Sequence, residues 1–124
     1  MTPEAVTGTP RIILRLEGLA VLALATWLFA RGGHSWPLFA ILFLVPDVSF
    51  AAYAMGPRIG AFGYNLLHSY VGPIVLGALF VATGRPPVLA LVWAAHIGFD
   101  RMLGYGLKYP TAFGDTHMGR IGRQ

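Results

Sequence analysis

The chain has 124 residues, 56% of them hydrophobic and only 11% charged, with a mean hydropathy of +0.63. A soluble domain carries about 25% charged residues, and so short a chain has little interior in which to hide this much apolar surface. That excludes an ordinary soluble domain and points to an all-α integral membrane protein. The formal charge of +4 does not signal nucleic acid, because the nine lysines and arginines punctuate apolar runs instead of forming a stripe. Cysteine is absent, which excludes disulfides, thiolate metal sites and cysteine nucleophiles.

Residues 1–10 are polar, with two prolines and a glycine, and read as a disordered lead to a single membrane domain over 11–124. The first apolar run predicts a helix over about 12–30. A cleaved signal peptide is the rival reading, but Leu28 is a poor match to the small residue wanted before a cut after Ala30, and Glu17 is out of place in such a segment. Arg31 to Ser35 is a turn, and the second run spans 36–55 with Pro46-Asp47 near its centre. Gly56-Pro57-Arg58 turns the chain into a third run over 59–83, which contains Asn65, His68 and Pro73. After Gly84-Arg85-Pro86-Pro87 a fourth helix is expected over 87–105, carrying His96 and Asp100. Each run is near the ~20 residues that cross a bilayer. Short loops make sequential helices antiparallel neighbours. The expected fold is a four-helix transmembrane bundle with a short cytoplasmic tail, 106–124, folded against it.

Basic residues near helix ends set orientation. Arg11, Arg15, Arg58, Arg101, Lys108, Arg120 and Arg123 fall on one side, and Arg31 and Arg85 on the other. Both termini are therefore expected in the cytoplasm, with the bundle in an inner membrane.

At ~1.5 Å per residue, Asp47 lies about 16 Å and His96 about 14 Å from the outer face, while His68 lies about 14 Å from the inner one. In a core ~30 Å thick these depths coincide. Glu17, Asn65 and Asp100 form a second layer closer to the cytoplasm. Asn65 and His68 are spaced i,i+3, and His96 and Asp100 i,i+4, so each pair shares a helical face. Ionisable groups at such depth mark functional sites by default. Pro46 and Pro73 free backbone carbonyls inside their helices, as tolerated beside hydrated pockets.

Several phrases carry a family resemblance: Leu-Arg-Leu-Glu-Gly (14–18), Pro-Asp (46–47), Tyr-Asn-Leu-Leu-His (64–68), His-Ile-Gly-Phe-Asp-Arg (96–101), Gly-Tyr-Gly-Leu-Lys-Tyr (104–109) and Asp-Thr-His-Met-Gly-Arg-Ile-Gly-Arg (115–123). With them the chain resembles a family of small bacterial membrane proteins that constitutes a domain of unknown function. The likeness covers nearly everything after Arg11. It implies a four-span membrane fold and supplies no activity, substrate or catalytic residue.

Three chemistries suit the polar column. Asp47, His68, His96 and Asp100, with Asp115 and His117 from the tail, would suit a divalent metal such as Zn, Mn or Fe, all of which accept mixed nitrogen and oxygen ligands. A metal-bound water would make a hydrolase acting on a lipid or apolar small molecule. Asp100 and Lys108 are then the catalytic candidates, with Lys108, Tyr105 or Arg101 steadying an anionic group and Glu17, Asn65 and Tyr105 in support. The second reading is plain interhelical hydrogen bonding, in a protein that serves as a structural subunit of a membrane complex. The third is proton-coupled transport, suggested by four short helices with Glu17 in the first, as in the dimeric small multidrug-resistance transporters. Membrane lipid is the expected partner, nucleic acid is not, and a homo-oligomer stays open.

Overall fold

The computed structural model describes residues 4–121 and is all-helical: α1 Gly8–Arg31, α2 Trp36–Phe43, a 3₁₀ helix Val45–Met55, α3 Pro57–His68, α4 Val71–Ala82 and α5 Val88–Leu103. Among the described residues the β pairing is confined to one isolated bridge between Lys108 and Thr116. Two prolines decide where the helical runs break. A prolyl ring clashes with the carbonyl four residues earlier and brings no N–H to it. Pro46 accordingly closes α2 at Phe43, and the chain goes on in the tighter 3₁₀ winding. Pro73 acts likewise: α3 stops at His68, Ser69 adopts an extended φ of −100° and ψ of 152°, and α4 resumes. The runs expected as continuous kinked helices over 36–55 and 59–83 are thus each two helices in series.

Three segments, Gly8–Arg31, Trp36–Met55 and Pro57–Ala82, are long and apolar enough to cross a bilayer. Their outer faces expose Leu24, Ile41, Val48, Phe62, Ile74 and Leu79, a surface that suits lipid and not water. α5 differs. Its 16 residues reach about 24 Å, and it is the helix the others surround, packing on α1, α2 and α4. It buries Val92, Ala95, His96, Ile97, Asp100 and Arg101.

The closest approach is between α1 and α5, where two glycines cross. A Cβ on Gly18 would lie 2.6 Å from the Gly98 carbonyl oxygen, and a Cβ on Gly98 would lie 2.6 Å from that of Gly18. Small residues are what allow membrane helices to meet at this range.

The break before Pro73 orphans the last carbonyls of α3, and α5 fills them. Trp93 Nε1 donates to Leu67 O at 2.6 Å and Arg101 donates to His68 O at 2.8 Å. α5 itself ends at Gly104, whose φ of +95° suits glycine and lets Tyr105 N–H return to Asp100 O at 2.7 Å.

Beyond Gly104 the chain doubles back on itself, with Tyr109 N–H donating to Asp115 O and His117 N–H to Leu107 O. Hydrogen bonds tie this hairpin to the helices and to the residues before α1. Arg11 Nε donates to Met118 O at 2.7 Å, Val6 N–H donates to His117 O at 2.8 Å, and Asn65 both donates to Lys108 O and accepts from Lys108 N–H, at 2.8 and 2.6 Å. α1 begins at Gly8, before the expected Ile12, because Pro10 falls in the first turn where a missing N–H costs nothing. Of the expected disordered lead and folded tail, residues 1–3 and 122–124 lie outside the described residues.

The Asn65 clamp yields a test. Asn65→Ala should leave two backbone groups of Lys108 without partners, at about 1–3 kcal/mol for each one that stays dry. Proteolysis and amide exchange over residues 105–117 should speed up by at least tenfold, with the helices unaffected.

Candidate metal centre

Asp47 comes from the 3₁₀ helix, His68 is the last residue of α3, and His96 and Asp100 lie one turn apart on α5. Pro46 places the first on its tight turn, and the break before Pro73 ends α3 at the second. One ligating atom from each can be chosen so that all four lie within 4.8 Å of one another. Five of the six separations are explicit. His68 Nε2 lies 3.1 Å from His96 Nε2, 3.2 Å from Asp47 Oδ1 and 3.5 Å from Asp100 Oδ2. His96 Nε2 lies 3.2 Å from Asp47 Oδ1 and 3.3 Å from Asp100 Oδ2. Tetrahedral bonds of ~2.0–2.1 Å give ligand–ligand edges of about 3.3–3.4 Å. The cluster has the size of a tetrahedral zinc shell.

The tautomer of His68 sharpens this. Its Nδ1 lies 2.9 Å from the Tyr64 carbonyl oxygen, which can only accept, so Nδ1 carries a proton. In the neutral ring Nε2 then presents a lone pair toward two carboxylates and a second imidazole. One proton on His96 Nε2 serves only one of the three acceptors around it. The arrangement calls for a cation at its centre, either an added proton or a metal ion. A histidine whose far nitrogen donates to a backbone carbonyl is also how metal-binding imidazoles are oriented. The Tyr64 ring stacks on His68 at 3.7 Å and 4°, and Phe43 meets the His96 ring edge-on at 5.0 Å. His96 Nδ1 is buried without a hydrogen-bond partner.

The four are unequally covered. Side-chain exposure is 0% for His68, 3% for His96, 12% for Asp100 and 39% for Asp47. Both carboxylates border a cavity of about 250 Å³ that Phe50, Tyr64, Tyr105, Lys108, Phe113 and Ile121 also line. Lys108 Nζ donates to Phe113 O at 2.7 Å and sits over the Phe113 and Tyr64 rings at 3.7 and 4.6 Å. Burial pushes this amine down to about 8, with the charge of Asp100 pulling the other way. Between about pH 8 and pH 10 the unfolded chain would still hold the proton that folded Lys108 has released, so rising pH favours the folded state across that window. Thermal stability of the native protein should therefore rise from about pH 8 to 10 relative to Lys108→Met, and the difference should be flat below about pH 7.

The remaining expected site residues are placed elsewhere. Glu17 is exposed. It neighbours Gly18, the residue turned to α5, and one residue of helix rotates a side chain by about 100°. The expected pairing of Glu17 with Arg15 or Arg101 does not form among the described residues, since Arg15 donates to Met102 O and Arg101 to backbone carbonyls. Asn65 clamps the tail. Tyr105 borders the cavity. Asp115 accepts from Thr111 Oγ1 at 2.6 Å and lies 3.8 Å from Arg120. His117 accepts from Leu107 N–H through Nδ1, and burial and then the charge of Arg101 hold its pKa below the usual imidazole range. Both tail residues are spent on the hairpin. Tyr64 and Phe43, which pack the two imidazoles, were not among the expected site residues; the i,i+4 spacing of Tyr64 and His68 was the available signal.

No solved structure matches the chain. Over 78 residues it is 32% identical to a probable glycerol uptake facilitator protein of Thermotoga maritima, a match that covers 56% of this chain and 33% of that protein. The chain thus spans about a third of that relative's length. The resemblance carried by the phrases from Leu14 to Arg123 has a direct counterpart, for residues 11–121 match the profile of the domain of unknown function DUF4260, and the chain belongs to that family.

Proposed function

We propose that this is a four-span membrane protein that holds one divalent transition-metal ion, zinc foremost and manganese or iron as alternatives, between Asp47, His68, His96 and Asp100. The observation that carries the reading is the set of five ligand separations between 3.1 and 3.5 Å, around a His68 whose Nδ1 is committed to a carbonyl. The reading extends to chemistry. The metal position borders a cavity, and Lys108, an amine easily deprotonated there, stands ready to exchange a proton. A polarised carbonyl or a metal-activated water beside such an amine is the apparatus of ester or amide hydrolysis on an apolar small molecule or lipid. In this reading both termini face the cytoplasm, and the tail covers the mouth of the site.

Elemental analysis of protein purified in mild detergent tests the binding. One equivalent of metal per chain is expected, and none in the His68→Ala, His96→Ala double variant. Metal-free native protein that cannot be loaded with zinc overturns the reading. Hydrolysis of fluorogenic acyl esters and amides that chelation stops and zinc restores tests the chemistry.

The relative in Thermotoga maritima favours a second reading, passage of a small neutral solute. Proteoliposomes whose glycerol permeability rises equally with native and double-variant protein would select it.

A further inference from the structure

The cavity beside the four residues bears on what the centre takes up, an inference that rests on the metal reading. Its volume of about 250 Å³ is the room of roughly eight water molecules. Phe50, Tyr64, Tyr105 and Phe113 give it flat apolar walls, and Lys108 is the single cation among the residues lining it. Asp47 is the loosest of the four ligand candidates, at 39% exposure. It rides on an 11-residue 3₁₀ helix, whereas such winding rarely persists beyond about three or four residues. A divalent ion with two carboxylates is charge-balanced. A ligand entering the inner sphere without upsetting that balance must bring one negative charge and release one. The displaced carboxylate must in turn have room to move into, and Asp47 borders the same cavity.

We propose that this cavity binds a small organic carboxylate with a flat apolar body, its carboxylate replacing Asp47 on the metal, its body against the aromatic walls, and its added charge offset by Lys108. Asp47 is then the exchangeable ligand, while His68, His96 and Asp100 are permanent. Three protein ligands and one open position are the arrangement of catalytic zinc sites.

The test uses the full chain in detergent, loaded with cobalt(II), whose visible bands report coordination. Benzoate should change those bands saturably, and benzyl alcohol, its neutral counterpart, should not. Asp47→Asn should still take up cobalt and should respond to benzoate, because the replaced group is the one exchanged. Lys108→Met, or Lys108→Gln should the first not take up cobalt, should bind benzoate at least tenfold more weakly at unchanged cobalt stoichiometry. Stoichiometric cobalt with no benzoate response in native protein overturns the ligand site and leaves the metal reading standing. Failure to take up cobalt at all overturns both. A stronger response to octanoate than to benzoate overturns the flat-bodied ligand in favour of an acyl chain drawn from lipid.

Discussion

Zinc at a free concentration a thousandfold above its dissociation constant should stabilise the native protein by about 4 kcal/mol, and the His68→Ala, His96→Ala double variant should gain nothing. In a chain of this size that is a rise of the unfolding midpoint of about 15 °C. The magnitude follows from linkage, and its assignment to these residues follows from geometry. Four acceptor atoms converge within ligating distance, and His68 cannot relieve them by turning its proton inward, because Tyr64 O already holds it on Nδ1. Without a cation the cluster must take up a proton or spread apart. With one, the four converging atoms share a partner. Thermal scans of chelated and zinc-loaded protein measure the difference directly. A gain that persists in the double variant would place the metal elsewhere on the chain. The single variant Asp47→Ala should keep part of the gain, since three ligands and a water still complete the shell.

Gly98→Val should disrupt the fold more than any loss of a polar group. Its Cβ would lie 2.6 Å from Gly18 O and 2.8 Å from Leu22 N, both backbone atoms of α1 that no rotamer change can move aside. Overpacking in a well-packed interior costs about 1–3 kcal/mol when side chains can yield; here a whole helix must shift, so the loss should exceed that range. Because α5 bears both His96 and Asp100, zinc retention should fall with stability, although Gly98 touches no ligand. Gly77→Ala is the control. Its Cβ would meet only the Ala90 methyl at 3.3 Å, and the variant should retain its metal with a small change in stability.

Much of this was legible in the residues. The apolar runs, their turns and the family likeness came from composition and spacing. The meeting of Asp47, His68, His96 and Asp100 was readable because helical rise converts sequence position into depth and i,i+4 spacing fixes a common face. Glu17 was misplaced for a definite reason: depth says how far a group lies into a layer and nothing about which way it faces. Facing is set by Gly18, whose role needs the partner helix. Asp115 and His117 look metal-capable by type, yet a hairpin this short needs internal acceptors, and those two side chains are among the ones that serve it. The severity of the breaks at Pro46 and Pro73 was also hidden. Proline predicts a lost hydrogen bond, but whether a helix bends or ends depends on what receives the freed carbonyls. At the end of α3 the receivers are Trp93 and Arg101, more than twenty residues downstream.

That dependence sets an order of assembly. A nascent chain that has inserted only its first three apolar segments carries two carbonyl groups near the ends of α3 with nothing to satisfy them except water drawn into the layer. Their donors follow more than twenty residues later, on the same helix that delivers half of the candidate coordination sphere. Packing of these segments therefore waits on α5, whose arrival supplies both donors and brings together the four residues of the candidate centre. Chains stopped before residue 88 should be recognised by quality control as unfinished.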